Sequence, residues 1–292
     1  MKSPDATSTV FETQRQRLLR LAYRMTGSFA EAEDVVQDAW LRWSRVEESV
    51  DQPSAYLTRI VTRLCLDRMR SARVRRETYV GAWLPDPLVG STEDDEDQAD
   101  DITLTLMLAL ERLSPLERAA FLLHDVFGVA LNDVAGTLER DAAAVRQLAS
   151  RARRHVQDAK PRYTVEQAEA ERITRAFFAA ARDGDVAGLR SMLAEDVVLY
   201  SDGGGKVLAF HNPIRGLAKM LRLFAGLARK HAFRPQMLRL ATIDGLPGYV
   251  SIDRGELLQT TALDIRNGRI AGIYITRNPD KLRHVAQLVG GG

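Results

Sequence analysis

The chain of 292 residues contains a single cysteine, Cys65. One thiol makes neither an internal disulfide nor a structural zinc site, and a reducing cytoplasm is the expected setting. The five histidines, at 124, 155, 211, 231 and 284, lack metal-ligand spacing such as His-Glu-x-x-His, so neither a metal nor another cofactor is expected. No run approaches the ~20 apolar residues of a membrane span, and residues 1–10 carry no apolar stretch of signal-peptide type. Lysine is scarce, with six among 41 basic residues. What the chain has in ordinary measure is apolar material, 45% hydrophobic against 27% charged. That supports packed cores and excludes a wholly disordered chain. At ~150 residues per domain the length suggests about two domains.

A net charge of +2 hides strong segregation. High-GC coding enriches arginine without any function, so where the arginines lie says more than how many there are. Residues 11–78 carry apolar positions at helical spacing, with Gly27 as the main break. Within 59–76 stand Arg59, Arg63, Arg68, Arg70, Arg73, Arg75 and Arg76 against the single acid Asp67. Solvated helices normally mix signs. A single-sign helix repels itself and suits a polyanion partner, which arginine grips bidentately and by stacking. Two prolines in Trp83-Leu84-Pro85-Asp86-Pro87 force an extended segment. Residues 91–101 then carry seven acids and no base, the composition of a linker. Such a run is either a solvated tether or a strip that mimics nucleic acid and occupies a basic channel.

Helical pattern returns over 102–158. Ser114-Pro115-Leu116-Glu117 predicts a helix start with Ser as N-cap, Pro at the first position and Glu closing a capping box. Gly128 ends that helix. A short helix from about Leu131 breaks near Glu139-Arg140, and a longer one starts at Asp141. On this last helix Val145, Leu148, Ala149 and Ala152 form a buried stripe. Ala143, Arg146, Gln147, Ser150, Arg151 and Arg154 face the other way, with Arg153 beside them. Arg146 and Gln147 suit base edges, and Arg151, Arg153 and Arg154 suit phosphates. The pair reads as a helix-turn-helix; a plain helical hairpin with a basic face is the competing reading. On an earlier helix Val36, Ala39, Trp40 and Trp43 make a core stripe. Asp34, Gln37, Asp38 and Leu41 form an acidic face with an apolar end, suited either to a basic partner helix or to solvent.

Lys160-Pro161 marks the next boundary. Two helices are expected over 165–182 and 185–193. Period-two segments follow at 197–201, 207–211, Gln236–Ile243, 249–252, Leu257–Arg266 and Arg269–Thr276, with an amphipathic helix over Leu217–Ala228. Asn267-Gly268 is a hairpin turn signal. The expectation is an α+β domain of helices on a curved antiparallel sheet.

Together these motifs resemble one family. Ala32-Glu33-Asp34-Val35-Val36-Gln37-Asp38-Ala39-Trp40, with Tyr56-Leu57-Thr58-Arg59-Ile60-Val61 running into Leu66-Asp67-Arg68-Met69-Arg70, is similar to regions 2.1 to 2.4 of the sigma-70 family. Leu113-Ser114-Pro115-Leu116-Glu117-Arg118 with 144–154 is similar to region 4. The absence of a full region 3 is the extracytoplasmic-function (ECF) pattern. Trp83-Leu84-Pro85-Asp86-Pro87, Asp202-Gly203-Gly204-Gly205-Lys206 and Asn278-Pro279-Asp280-Lys281-Leu282 resemble the signatures of the ECF subgroup with a fused SnoaL-like domain, except that Asp86 stands where Glu is usual. The resemblance implies two all-α domains, region 2 over 8–80 and region 4 over 102–160. An 81–101 linker joins them, and a SnoaL-like α+β cone over 163–277 and a tail over 278–292 follow.

By position, the resemblance implies that Asp34, Gln37, Asp38 and Leu41 bind core RNA polymerase. The 59–76 arginines melt the promoter minus-ten element, with Tyr56 and Tyr79 as flanking stacking surfaces. Arg146, Gln147, Ser150, Arg151, Arg153 and Arg154 read the minus-thirty-five element. The partners are core polymerase and promoter DNA; no membrane partner and no covalent chemistry are implied.

In the C-terminal domain, Gly203 to Lys206 is not a phosphate loop, because Val207 follows Lys206 where Ser or Thr is needed. Triple glycine instead suggests a loop with positive φ. Asp196, Tyr200, Asp202, His211 and Tyr274 are candidate cavity residues. The expected role is regulation in cis, in place of a separate anti-sigma protein. In it the Asp202, Gly203, Gly204, Gly205 and Lys206 loop rests on the first domain or on Trp83, Pro85 and Asp86, with Lys206 near Asp86 as one contact. The tail residues Asn278, Pro279, Asp280 and Lys281 take part. A ligand-responsive one-component transcription factor and a polyketide-cyclase-type enzyme fused to a DNA-binding module are the alternatives, and a small-molecule ligand in the C-terminal pocket is left open.

Overall fold

A computed structural model describes residues 4–46, 50–77, 79–90, 103–157, 166–230, 235–253 and 256–290. The expected acidic run at 91–101 lies outside them. The chain divides into two compact units. The first contains residues 1–78 and 107–159, and the second 79–106 and 160–292.

The first unit is helical. α1 (Pro4–Thr26), α2 (Phe29–Trp43) and α3 (Pro53–Glu77) form a bundle. Its core holds Leu18, Met25, Val36, Trp43, Leu57 and Val61, each at most 3% exposed. Ser28 caps α2 by accepting from the Glu31 amide. α4 (Leu104–Leu110) begins in the second unit and ends in the first, and α5 (Pro115–Phe121) begins with the expected reciprocal box between Ser114 and Glu117. A π-helical turn (Leu122–Val126) extends α5, and α6 (Leu131–Leu138) and α7 (Ala142–Val156) follow. Glu139 closes α6 in the left-handed region at φ 53°, and Asp141 caps α7 by accepting from the Ala144 amide. The two helical modules, expected as separate domains, form one unit. α3 packs on α5 and α6, and Arg118, 1% exposed, is ion-paired to Glu111.

In the second unit α8 (Gln167–Asp183), α9 (Val186–Met192) and α10 (Leu217–Ala228) accompany seven strands, and α11 (Arg283–Gly290) ends the unit. The strands are β1 (Val89–Gly90), β2 (Leu193–Asp202), β3 (Ile214–Arg215), β4 (Gln236–Ile243), β5 (Leu246–Asp253), β6 (Leu257–Arg266) and β7 (Arg269–Thr276). Their order is β1-β4-β5-β6-β7-β2-β3. The sheet is mixed rather than antiparallel throughout, because β2 pairs with β7 in parallel. A parallel pair needs a long crossover, and the connection carrying β3, α10 and β4 to β6 supplies it. Segment 207–211 forms no strand. After the glycine turn the chain runs as a loop and pairs only at β3, Leu199 opposite Ile214. Asn267 and Gly268 turn the β6–β7 hairpin at φ 51° and 71°. α8, α9 and α10 cover one face of the sheet, closing a core that includes Phe177, Leu199, Phe224, Leu263 and Ile273.

β1 comes from the expected linker. It adds to the sheet edge, Val89 opposite Ile243. The Leu88 and Asp244 backbones also bond there, Asp244 N–H to Leu88 O at 2.9 Å, and Leu104 N–H reaches Asp244 O at 2.8 Å. Residues 79–90 are therefore built into the C-terminal unit, and the chain is held again at Leu104.

Candidate functional site

Two charged constructions stand out. The first lies on α7. Val145, Ala149 and Ala152 are fully buried and Leu148 partly so, which fixes the helix on its apolar stripe. Arg146, Gln147, Ser150, Arg151, Arg153 and Arg154 are all exposed on the remaining surface. Arg153 donates to Asp125 at 2.6 Å, and Arg151 stands 3.9 Å from Glu117. Arg146 and Arg154 have no carboxylate partner among the described residues. The helix thus presents side chains that suit a groove, with Arg153 already holding an internal acid.

On α3, Arg59, Arg63 and Arg70 are exposed, and the side chains of Arg73, Arg75 and Arg76 lie outside the described ones. Arg63 donates to Glu139, in the turn before α7, at 2.6 Å, and Arg70 pairs with Asp67 on its own helix. Arg68 is different. It donates to Asp34 at 3.1 Å and to Asp38 at 3.0 Å. Burial opposes its charge, yet the two hydrogen bonds outweigh burial and hold the guanidinium above its ordinary value. The expected minus-ten arginine is thus seated on two of the expected polymerase-binding acids. Gln37 and Leu41 of that face are exposed, Leu41 at 46%. Tyr56 packs against Trp43, ring centroids 5.9 Å apart.

The second construction is buried, and the linker enters it. Asp202, at the end of β2, is fully buried. Its Oδ1 accepts from Tyr79 Oη at 2.5 Å and Gly204 N–H at 3.0 Å. Its Oδ2 accepts from Leu84 N–H and from Lys281 Nζ, both at 2.9 Å. Four donors satisfy one carboxylate, three of them from the linker and the tail. Lys281 also donates to Leu84 O and lies 4.2 Å from the Trp83 ring centroid, a cation–π contact. Asn278 Nδ2 donates to Tyr79 Oη at 2.9 Å, and His284 Nε2 donates to Pro87 O at 2.6 Å. Burial first, and then the Asp202 hydrogen bond, push the Tyr79 phenol well above its ordinary value. Gly204 takes φ 62°, and a Cβ there would meet Asn278 Nδ2 at 2.3 Å, so glycine serves both turn and close approach. Gly203 is buried beside it, and the backbone of Gly205 passes Val80. Pro85 and Asp86 are buried and Trp83 half-buried.

Several expectations change here. Tyr79 is bonded to Asp202 rather than offered to bases. Lys206 pairs with Asp280 rather than Asp86, and that hydrogen bond is the main cause holding the Asp280 carboxyl below its ordinary value. Pro279 is exposed in the same turn. The expected cavity set does not line the cavity. Strand alternation sends Leu199 and Ser201 to the helix-covered face and Tyr200 and Asp202 away from it. Tyr200 and Tyr274 stack on one another, 5.6 Å apart. Cys65 is fully buried and burial pushes its thiol up, so it is not poised to react.

Family models for sigma-70 region 2 and sigma-70 region 4 match residues 10–75 and 103–156. The ECF RNA polymerase sigma factor SigJ of Mycobacterium tuberculosis is 40% identical over 287 residues, 93% of this chain and 91% of SigJ. This chain is an ECF sigma factor of the sigma-70 family.

The probable ECF sigma factor SigI of the same organism is 31% identical over the full length of both chains. A crystal structure of M. tuberculosis SigJ superimposes with a TM-score of 0.75 at 33% identity, covering 94% of this chain and 98% of that one. The sigma factor therefore serves RNA polymerase-directed transcription initiation, and its family binds core polymerase and promoter DNA. Its C-terminal domain has a mixed-sheet α+β fold. Among the described residues no helix is long and apolar enough to cross a membrane.

Sequence reasoning missed three features of this sigma factor. Glu139 holds Arg63, Asp244 anchors the linker at Leu88 and Leu104, and the Tyr79 hydroxyl serves the Asp202 clasp. Asp244-Gly245 was visible as a turn dipeptide, but nothing local says what its backbone receives.

Proposed function

We propose that the fused domain regulates this sigma factor in cis by holding the chain that joins its two DNA-binding modules. The observation that carries this reading is the Asp202 carboxylate, whose four donors include Tyr79 and Leu84 of that linker. Region 2 matches end at residue 75 and region 4 matches begin at 103. Between these matches, residues 79–90 and Leu104 are bonded within the C-terminal unit. Released, roughly 25 residues would reach at most about 85 Å. Grip on the linker thus limits how far apart the modules can act. Asp34, Gln37, Asp38 and Leu41 form the polymerase face in this reading. The α3 arginines serve the minus-ten element, and the exposed face of α7 serves the minus-thirty-five element. In this reading the domain works by holding the linker.

The test is transcription in vitro with core polymerase. It compares the full chain, residues 1–160, residues 1–277 and the full-length Asp202→Asn, Lys206→Ala and Asp86→Ala variants. Release of the clasp should change transcript yield in Asp202→Asn and in both truncations in the same direction. More transcript marks a brake and less marks a brace. Equal transcript from all three, with equal polymerase binding, overturns cis regulation. Unchanged output from Lys206→Ala and Asp86→Ala would assign the grip to Asp202 and Lys281 alone.

A further inference from the structure

Beneath α8 and α10 the C-terminal unit encloses a cavity of about 190 Å³. Its wall is aromatic and aliphatic: Phe178, Phe224 and Tyr249, with Leu199, Leu223 and Leu227. Phe178 and Tyr249 meet edge to face at 5.1 Å, which sets a rigid wall. Polar groups sit in two places. Ser201, Gln259 and Arg277 belong to the strand ends, and Arg182 and Lys230 to the ends of α8 and α10. No carboxylate lines the cavity among the described residues. Two of its three cations already serve acids outside the lining. Arg277 pairs with Asp253 at 2.5 Å and Arg182 with Asp183 at 2.7 Å. Lys230 is exposed and pairs with no carboxylate among the described residues. An apolar chamber with one uncommitted cation at its edge matches a ligand with an apolar body and one anionic end.

We propose that this cavity binds a small amphipathic carboxylate, a medium-chain or short arylalkyl acid, with its carboxylate at Lys230 and its tail among the aromatic side chains. A cavity of about 150 Å³ holds benzene, so this one takes on the order of ten heavy atoms. Occupancy has a direct route to the linker. Ser201 and Arg277 line the cavity, and Asp202 and Asn278, the next residues on the same two strand ends, hold the linker from the opposite face. Arg277 N–H and Asn278 N–H both donate to Asp202 O, at 2.8 and 3.0 Å. A tail pressing on Ser201 or Arg277 therefore strains the clasp. This coupling rests on the cis-regulation reading; the binding itself does not.

Calorimetry on the full chain with octanoate and octanol tests it without polymerase or DNA. One octanoate per chain should bind at least about tenfold tighter than octanol. Lys230→Glu, at an exposed position, should weaken octanoate at least about tenfold and leave octanol within about twofold. Leu223→Trp should fill the cavity and abolish both, with folding checked by circular dichroism. Equal affinity for the two probes, no binding of either at millimolar concentration, or undiminished octanoate binding to folded Leu223→Trp overturns the proposal. Trp83 emission, identified by its loss in Trp83→Phe, should shift on octanoate addition. A silent Trp83 at saturation overturns the coupling. A shift of Trp83 with unchanged transcription would instead overturn the regulatory reading while binding stands.

Discussion

The exposed face of α7 and the buried clasp around Asp202 use the same charged chemistry in opposite ways. On α7, a stripe of Val145, Ala149 and Ala152 anchors the helix, and its arginines project into water, Arg146 and Arg154 without an acid among the described residues. Such charges cost little to keep and suit an external polyanion. In the clasp, Asp202 and Lys281 have side chains 0% and 9% exposed and meet at 2.9 Å. Buried charges are tolerable only when nearly every lone pair and proton is answered, so the clasp accepts one particular chain segment, the linker. Exposed charge selects a class of partner, and buried charge selects a single geometry.

The largest test of this contrast is Asp202→Ala. Leaving Lys281 buried without its acid should cost about 3–5 kcal/mol. The cost should be read as a lower urea midpoint for the full chain and as loss of amide exchange protection at Leu84. A loss under ~1 kcal/mol would place the clasp with ordinary surface pairs and erase the comparison.

On the other side, Arg146→Ala should cost about 1–3 kcal/mol of promoter affinity and relax specificity at one base, while Arg154→Ala should weaken all sequences alike and lower the salt slope by about one. Holoenzyme binding to promoter variants across a salt series reads both. A salt-independent affinity would remove the phosphate role from α7.

A smaller effect is expected at the start of α5. Hydrogen bonding from Ser114 is the main cause holding Glu117 below its ordinary value. A depressed carboxyl contributes stability above its unfolded value, about 4.5, that is lost as pH falls through the folded one. Stability curves against pH should show this acid loss in the native chain and lack it in Glu117→Gln. Ser114→Ala should cost about 1 kcal/mol.

The smallest is Glu139→Ala. Its pair with Arg63 is 72% and 45% exposed, so stability should move by less than ~1 kcal/mol. Arg63 is then free for a phosphate, and the salt slope of promoter binding should steepen by roughly 0.9. An unchanged slope would show that Arg63 does not reach DNA.

Much of this was legible in the sequence because local rules decide it. The Ser114 capping box, the break at Glu139, the Asp141 cap, the α7 stripe and the α10 boundaries follow from periodicity and capping, which involve neighbours three or four residues apart. The sigma resemblance followed from motifs of the same local kind. The reversed polarity of β2 against β7, the absent strand at 207–211 and the cavity-lining residues were not legible. They depend on which strand comes to lie beside which, and strand alternation assigns faces only once that is known.

By itself the sequence determined the family and the helices of both sigma regions, since each is written within a helical turn or a short motif. Only the tertiary structure decided which charges remain available. Arg68 is claimed by Asp34 and Asp38, Arg63 by Glu139 and Tyr79 by Asp202, partners 30 to 123 residues away. A charge is free or occupied according to what folding brings within about 3 Å of it, and no local pattern encodes that distance.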